Sequence, residues 1–446
     1  MKTGDTIELK ITDIGSNGEG IGHNEGYTVF IPFALPGETV RAKINYAKKT
    51  LAYATMTHKL EVSQDRVTPE CPVYYRCGGC SLMHLKYEAQ LEAKRNSLIN
   101  ILRKNCGYTG KVRPVVPSPE VFCYRNKIQL PFGEQNGKAV LGFYRQGTHS
   151  VVPINRCLLH GDWADKLIKI VSEFANANKI PVYDEASHKG LLRHLVARFI
   201  GGALTVTLVT NGDRLKAADL LVSALKAEFN NVSLYLSVNT AKTNVILGNK
   251  LIPIYAPKQT VNIQGVEVEI NPMSFFQVND GVRELIYNAV ADAVSPQEGT
   301  TVIDAYSGVG VLGAILAKKG ARIYNIEIVP EAIEDADKLY AANSLASKAT
   351  NICGDAAKVL PDLIPTFDNP TVILDPPRKG CGPAVLDALT RHPVRNLIYI
   401  SCNPATLSRD LATLLSAYHI DSITPYDMFP HTQHVECVVL MSRVDK

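Results

Sequence analysis

The sequence predicts a multidomain chain: a small N-terminal β-barrel, an α+β middle domain, and a C-terminal α/β domain with a doubly wound, mainly parallel sheet. Three observations predict it. At 446 residues the chain is too long for one ordinary domain. Its first 60 or so residues are short apolar runs punctuated by glycine. From about Asn271 onward, strand-like and helix-like runs alternate. The expected boundaries are 1–60, 70–270 and 271–446.

Composition sets the setting. With 46% hydrophobic and 20% charged residues the chain reads as globular. The opening MKTGDTIELKITDIG has no apolar leader segment, and no run of roughly 18 apolar residues follows. A cytoplasmic monomer with no membrane partner is therefore expected. In a reducing compartment clustered cysteines lean towards metal binding or catalysis over disulfides. The net charge of +4 is mild, but residues 66–130 hold eleven Lys/Arg against four Asp/Glu, a local excess of +7. That excess suits a surface that meets phosphates, and a solvated basic face would look the same.

In the first segment, IELKITDIG, SNGEGIGHNEG, YTVFIPFALPGE and TVRAKINYAKKTLAYATMTHKL read as strands joined by turns. Gly18, Gly20, Gly22 and Gly26 are turn residues, because no strand feeds them into a helix as a phosphate loop requires. The order D-I-G-x-x-G-x-G-I-G, then V-F-I-P-x-A-L-P-G-E, resembles a TRAM domain, which implies an OB-like barrel that contacts RNA. RVTPECP follows as a linker. LKYEAQLEAKRNSLINILRKN then has apolar positions near helical spacing, with Gly107 placed to end the helix. The runs KIQLPF, AVLGFY, LTVTLVT and SLYLSV are strands, with a helix over Asp162–Ala177.

In the C-terminal segment, TVID runs into a turn at Gly308 and Gly310 and then into a helix. Glu327, Asp355 and Asp375 end or follow the next three strands, and acids at successive strand ends fit a nucleoside cofactor. The spacing of Gly308, Gly310 and Gly313 alone leaves a dinucleotide open. The set D-x-Y-S-G-x-G, I-E, G-D and D-P-P-R resembles the class I S-adenosylmethionine-dependent methyltransferases. By that resemblance Tyr306 and Gln277 contact the cofactor, Glu327 holds its ribose, Asp355 lies near its adenine and Asp375 by its amino-acid end.

NLIYISCNPATLSRD places Cys402 at the end of a further strand, and Asn403-Pro404 then turns the chain. An isolated cysteine there is more often packed than reactive. Glu436, however, opens the otherwise apolar run ECVVLM, and an acid there needs a reason. Methylation at carbon 5 of uracil wants both groups: a thiolate to activate the ring through carbon 6, and a base to remove the proton left on carbon 5. Cys402 is the candidate nucleophile and Glu436 the candidate base; Cys437, on the opposite face of the strand, is expected in the core.

F-F-Q-V-N, D-x-Y-S-G-x-G, D-P-P-R, S-C-N-P and H-x-x-H-V-E, in order across the last 175 or so residues, resemble the RNA 5-methyluridine methyltransferases. The resemblance implies those two roles and puts His431 and His434 near the site; Val311, where relatives often carry a polar residue, departs from it. The substrate implied is RNA with an unpaired or flipped uridine, most like 23S ribosomal RNA, with tRNA the alternative. Tyr124 to Lys127 (YRNK) offers an aromatic and two cations for it.

CPVYYRCGGC sets Cys71, Cys77 and Cys80 at C-x5-C-x2-C, with no nearby pair to complete four ligands. Cys106, Cys123 and Cys157 are the available fourth thiols, and zinc and an iron-sulfur cluster suit four thiolates equally. Resemblance to the ribosomal RNA members implies Cys157 and a 4Fe-4S cluster, leaving Cys106 and Cys123 as buried thiols. Radical S-adenosylmethionine methylthiotransferases also combine a TRAM domain with a cluster, but they require C-x3-C-x2-C. A non-catalytic RNA-binding protein would not need Cys402, Glu436 and Asp375 together.

Overall fold

The computed structural model describes residues 1–444. Strands β1 (Thr6–Ile14), β2 (Gly20–Asn24), β3 (Tyr27–Ile31), β4 (Thr39–Ala47) and β5 (Leu51–Glu61) close into a barrel in the order β1-β2-β3-β5-β4. Alternation drives it: along β4, Val40, Ala42 and Ile44 are buried while Lys43 and Asn45 face solvent.

Helix α1 (Tyr87–Cys106) ends where Gly107 takes a left-handed conformation and its N–H returns to the Arg103 carbonyl. A seven-stranded sheet follows, built from β6 (Lys127–Gln135), β7 (Lys138–Tyr144), β8 (Val151–Pro153), β9 (Leu192–Ile200), β10 (Ala203–Thr210), β11 (Val232–Val238) and β12 (Lys250–Tyr255) in the order β12-β11-β10-β9-β6-β7-β8. Helices α2 (Asp162–Ala177) and α3 (Ala218–Glu228) share one apolar core with Leu195, Val206 and Leu234 of that sheet. A hairpin, β13 (Thr260–Ile263) and β14 (Val266–Glu269), closes this part.

The C-terminal part runs α4 (Asp280–Val294), β15 (Thr301–Ala305), α5 (Val311–Lys318), β16 (Arg322–Glu327), α6 (Pro330–Ala342), β17 (Ala349–Cys353), α7 (Ala356–Leu363), β18 (Thr371–Leu374), α8 (Pro383–Arg391), β19 (Asn396–Ser401), α9 (Pro404–Leu414), β20 (Tyr418–Tyr426) and β21 (Glu436–Arg443). Its strands lie in the order β17-β16-β15-β18-β19-β21-β20. The first five are parallel, and β21 runs antiparallel to both neighbours. Val302 belongs to one apolar core and Ile303 and Ala305 to another, so both faces of the sheet are covered.

Two elements depart from the expected boundary at 270. Of the buried stripe Gln90, Lys94, Leu98, Leu102 on α1, Leu98 and Leu102 share a core with Leu407 and Leu411 of α9. The β13–β14 hairpin likewise buries Val261, Ile263, Val266 and Val268 in the C-terminal core. Both apolar faces need cover, and the C-terminal domain supplies it. Two further expectations are corrected: Cys123 is exposed, and Tyr124 is buried with its hydroxyl donating to the Pro430 carbonyl at 3.2 Å, which removes it as a stacking platform for RNA. Cys437 is fully buried in the core, as expected. Among the described residues no helix is long and apolar enough to cross a membrane.

Two buried ion pairs join the parts. Arg66, in the linker, forks onto Glu38 of the barrel at 2.6 and 2.8 Å and also donates to the Phe33 carbonyl at 2.7 Å. Lys94 of α1 pairs with Asp427 after β20, and both side chains are shielded from solvent. Burial works against the Glu38 carboxylate, but Arg66 and the N–H groups of Leu35 and Ser63 offset it and hold its pKa below the usual 4.5. A depressed carboxylate contributes stability that is present above the unfolded value and lost as pH falls through the folded one. Replacing Arg66 by Ala leaves Glu38 buried without its partner and should cost roughly 3–5 kcal/mol in chemical denaturation at neutral pH, with the deficit shrinking on acidification because the partnerless Glu38 takes up its proton at higher pH than the paired one.

Candidate active site

The carboxyl ends of β15, β16, β18 and β19 meet the start of β21, and the acids expected there are brought together. Glu436, the first residue of β21, is 2% exposed. Burial, then the neighbouring Asp375, raise its pKa well above the usual carboxylate range, against the pull of Arg378. Asp375, just past β18, is pushed up to about 7 by burial. Asp304 on β15, which sequence reading passed over, is pushed up to about 8 by burial, Asp375 and Glu327. Its signal was an acid inside the apolar run TVID.

Cys402 follows β19. Burial raises its thiol pKa, Glu436 and Asp375 add to the rise, and Arg378 opposes it through its charge and a hydrogen bond. Arg378 is the second residue that sequence reading missed as a group in its own right, although it stood in the D-P-P-R motif. Its place is set by the chain: the Arg378 carbonyl accepts from Asn403 Nδ2 at 3.0 Å and Thr406 Oγ1 at 3.1 Å, while Asn403 Oδ1 caps α9 through the Ala405 N–H. The S-C-N-P turn and the D-P-P-R loop are thus fastened to each other. Behind them, buried Asp410 accepts from the Cys381 N–H at 2.8 Å and the Tyr399 hydroxyl at 2.6 Å.

Of the cofactor candidates, Tyr306, Glu327, Asp355 and Asp375 end or follow β15, β16, β17 and β18, and Gln277 lies apart from them in sequence. Glu327 accepts from the N–H groups of Gly308, Ile328 and Val329 at 3.1, 2.8 and 3.0 Å, so its carboxylate is fixed at the end of β16. Gly308 has φ +56° with open space where a Cβ would stand, which leaves room for a ligand against the backbone. Tyr306, itself at φ +68°, lies within electrostatic reach of Asp355, and Asp355 also caps α7. Gln277 lies in the loop before α4, its carbonyl accepting from Asn126 Nδ2 at 2.9 Å. Acids at successive strand ends beside a glycine turn with open space at Gly308 fit a ligand carrying a ribose and a positive charge.

The two histidines separate. His434 lines a cavity of about 220 Å³ with Cys402, Arg378 and Lys94. Burial and the cations Arg378, Lys94 and Arg125 lower its pKa to about 4, so it stays neutral. His431 stacks on Phe122 with ring centroids 4.6 Å apart, and its Nδ1 lies 3.3 Å from Gln90 Nε2. Its carbonyl accepts from the N–H groups of Ser81 and Leu82, tying the cysteine segment to the site.

Cys71, Cys77, Cys80 and Cys157 line one pocket with Tyr74, Met83 and Phe143 around them, and all four are free thiols. Burial raises the Cys157 thiol to about 11, with Cys77 and Cys71 adding to the rise. Among the described residues no group of three or more His, Cys, Asp or Glu side chains is arranged to hold a metal ion. The four cysteines therefore gather without forming a preset ion site. Cys106 and Cys123 are not among the residues of this pocket.

The sheet order, the fixed acids and the thiol define a group-transfer enzyme that uses a nucleoside cofactor. Residues 359–444 match the tRNA (uracil-5-)-methyltransferase family and residues 1–57 match the TRAM domain. An uncharacterized RNA methyltransferase of Bacillus cereus is 37% identical over 99% of this chain and 97% of its own length; another, of Caldanaerobacter subterraneus subsp. tengcongensis, is 38% identical over 100% and 99%. The crystal structure of Pyrococcus abyssi tRNA (uracil-54, C5)-methyltransferase in complex with S-adenosyl-L-homocysteine superposes with a TM-score of 0.80 and 31% identity, over 97% of this chain and 99% of that one. The chain belongs to the S-adenosylmethionine-dependent RNA methyltransferases of the uracil-5 family.

Arg378 holds the Cys402 thiol pKa down, so Arg378→Gln should move it further up. At fixed pH near 8, iodoacetamide should then alkylate Cys402 about tenfold more slowly, with the wild-type rate recovered at higher pH, since one pKa unit is a tenfold change in thiolate. Peptide mapping of the alkylated cysteine measures this.

Proposed function

We propose that the protein methylates carbon 5 of a uridine in RNA through a covalent adduct on Cys402. The observation that carries the reading is the convergence of Cys402, Glu436, Asp375 and Arg378 on one site. The Cys402 thiolate adds to carbon 6, forming a carbon–sulfur bond and moving the ring's electrons towards carbon 5 and its neighbouring carbonyl. Tyr306, Glu327, Asp355, Asp375 and Gln277 would hold S-adenosylmethionine, which when bound would give carbon 5 its methyl group, the sulfonium carbon–sulfur bond breaking to leave S-adenosylhomocysteine. Glu436 then removes the remaining proton from carbon 5, the carbon–sulfur bond breaks, and the double bond and thiolate are restored. Because burial makes Glu436 a reluctant acid, it is a strong base once ionised. A positive charge brought beside it favours that form.

Ribosomal RNA is the substrate we infer, on the barrel and the four-cysteine pocket together. A second reading, tRNA, is favoured by the superposition with the Pyrococcus abyssi tRNA (uracil-54, C5)-methyltransferase. Mapping 5-methyluridine in both RNA pools of a deletion strain separates them. Cys71, Cys77, Cys80 and Cys157 are the set we assign to a 4Fe-4S cluster, which binds one thiolate at each iron and so suits cysteines gathered around a shared space better than a tight ion shell. The cluster's role is structural, since its pocket is distinct from the cavity that Cys402 lines.

On RNA carrying 5-fluorouridine, wild-type protein should form an adduct stable on a denaturing gel and Cys402→Ala none; trapping that survives this substitution would remove Cys402 as nucleophile. With ordinary RNA, Glu436→Gln should accumulate adduct and lose product. Anaerobically purified protein should contain iron and acid-labile sulfide in equal amounts, and Cys157→Ser should lose both.

A further inference from the structure

A larger cavity, of about 530 Å³, adjoins the one that holds Cys402 and shares Arg378, Gln433 and His434 with it. Three parts of the chain wall it: the barrel through Phe30 and Tyr53, the cysteine segment through Gly78 to Ser81, and the C-terminal loop through Phe429 and Gln433. Phe30 and Tyr53 stack with ring centroids 5.3 Å apart and planes 22° from parallel, and Tyr53 keeps 47% of its surface exposed. Arg125 and Arg378 bring two positive charges to this wall, and the buried Nε of Arg125 has no hydrogen-bond partner. The one acid lining it, Glu19, is already engaged by the Asn17 N–H and side chain at 2.9 and 3.1 Å. A flat aromatic face, two cations and no free carboxylate fit one chemistry, a nucleotide with its base on the ring and its phosphate on the arginines.

Resting on the reading that a uridine enters the Cys402 cavity, we propose that this neighbouring cavity binds the nucleotide adjacent to the target uridine, stacking its base on Tyr53. The barrel is then part of the substrate pocket as well as an RNA tether. Every base has a stacking face, so this contact supports binding with little choice among bases. Its contribution is a matter of affinity, and the wall formed by the cysteine segment shapes the same cavity.

The test uses the full-length protein and fluorescently labelled uridine-centred pentanucleotides, read by anisotropy. Tyr53→Ala should weaken binding about tenfold, in line with the usual worth of one stacked base, and Tyr53→Phe should restore it. For the wild type, an abasic residue on one side of the uridine should cost a similar factor, and Tyr53→Ala should be indifferent to it. Equal affinities for intact and abasic probes, or for wild type and Tyr53→Ala, would overturn the proposal. The readout is independent of methyl transfer: loss of adduct on 5-fluorouridine RNA with this pattern intact would strike the reaction and leave the subsite standing.

Discussion

Several carboxylates buried side by side at the carboxyl end of one sheet constrain everything built around them. Asp304, Asp375 and Glu436 cannot all ionise in so little water, and burial raises the pKa of each. Such a site holds an unmet demand for positive charge. Arg378 meets part of it from within the chain, and its loop is fastened at Asn403, Thr406 and Asp410 so that the charge stays beside Cys402. A cationic cofactor is the natural complement for the rest. The same acids oppose ionisation of the thiol, so nucleophile and base share one electrostatic balance.

Geometry above the sheet follows from keeping this region enclosed. The Arg66–Glu38 fork fixes the barrel against the linker, and the loop around Ile14 to Ser16 lines the Cys402 cavity from the far side. The His431 carbonyl binds the N–H groups of Ser81 and Leu82, so the cysteine segment is held to the loop that carries His434. Three segments remote in sequence thereby become walls of adjoining cavities.

Much of this was legible in the sequence because it is local. Strand-helix alternation after Asn271, the helix over Asp162–Ala177 and the helix ended by Gly107 depend on patterns within a few residues. The candidacy of Cys402, Glu436 and Asp375 was legible from their places at strand ends together with the motif resemblance. What escaped was decided by distant packing. Nothing near α1 says that Leu98 and Leu102 are covered by α9, and nothing in YRNK says that the Tyr124 ring is turned inward to the Pro430 carbonyl. Arg378 and Asp304 were in plain view but became identifiable as charge partners only once the neighbouring strands brought Cys402 and Asp375 beside them. Of the two motif histidines, His431 carries a structural load because Phe122 and Gln90, far away in sequence, enclose its ring.

The Lys94–Asp427 pair spans 333 positions of the chain. During synthesis at about 5–20 residues per second, Lys94 leaves the ribosome roughly 15–70 s before its partner exists. For that interval α1 has an apolar stripe and a cation with nowhere to go, because α9 and the loop after β20 are not yet made. The buried face of α1 is therefore covered only once the segment carrying α9 and Asp427 has emerged, and until then its apolar stripe is open to capture or aggregation.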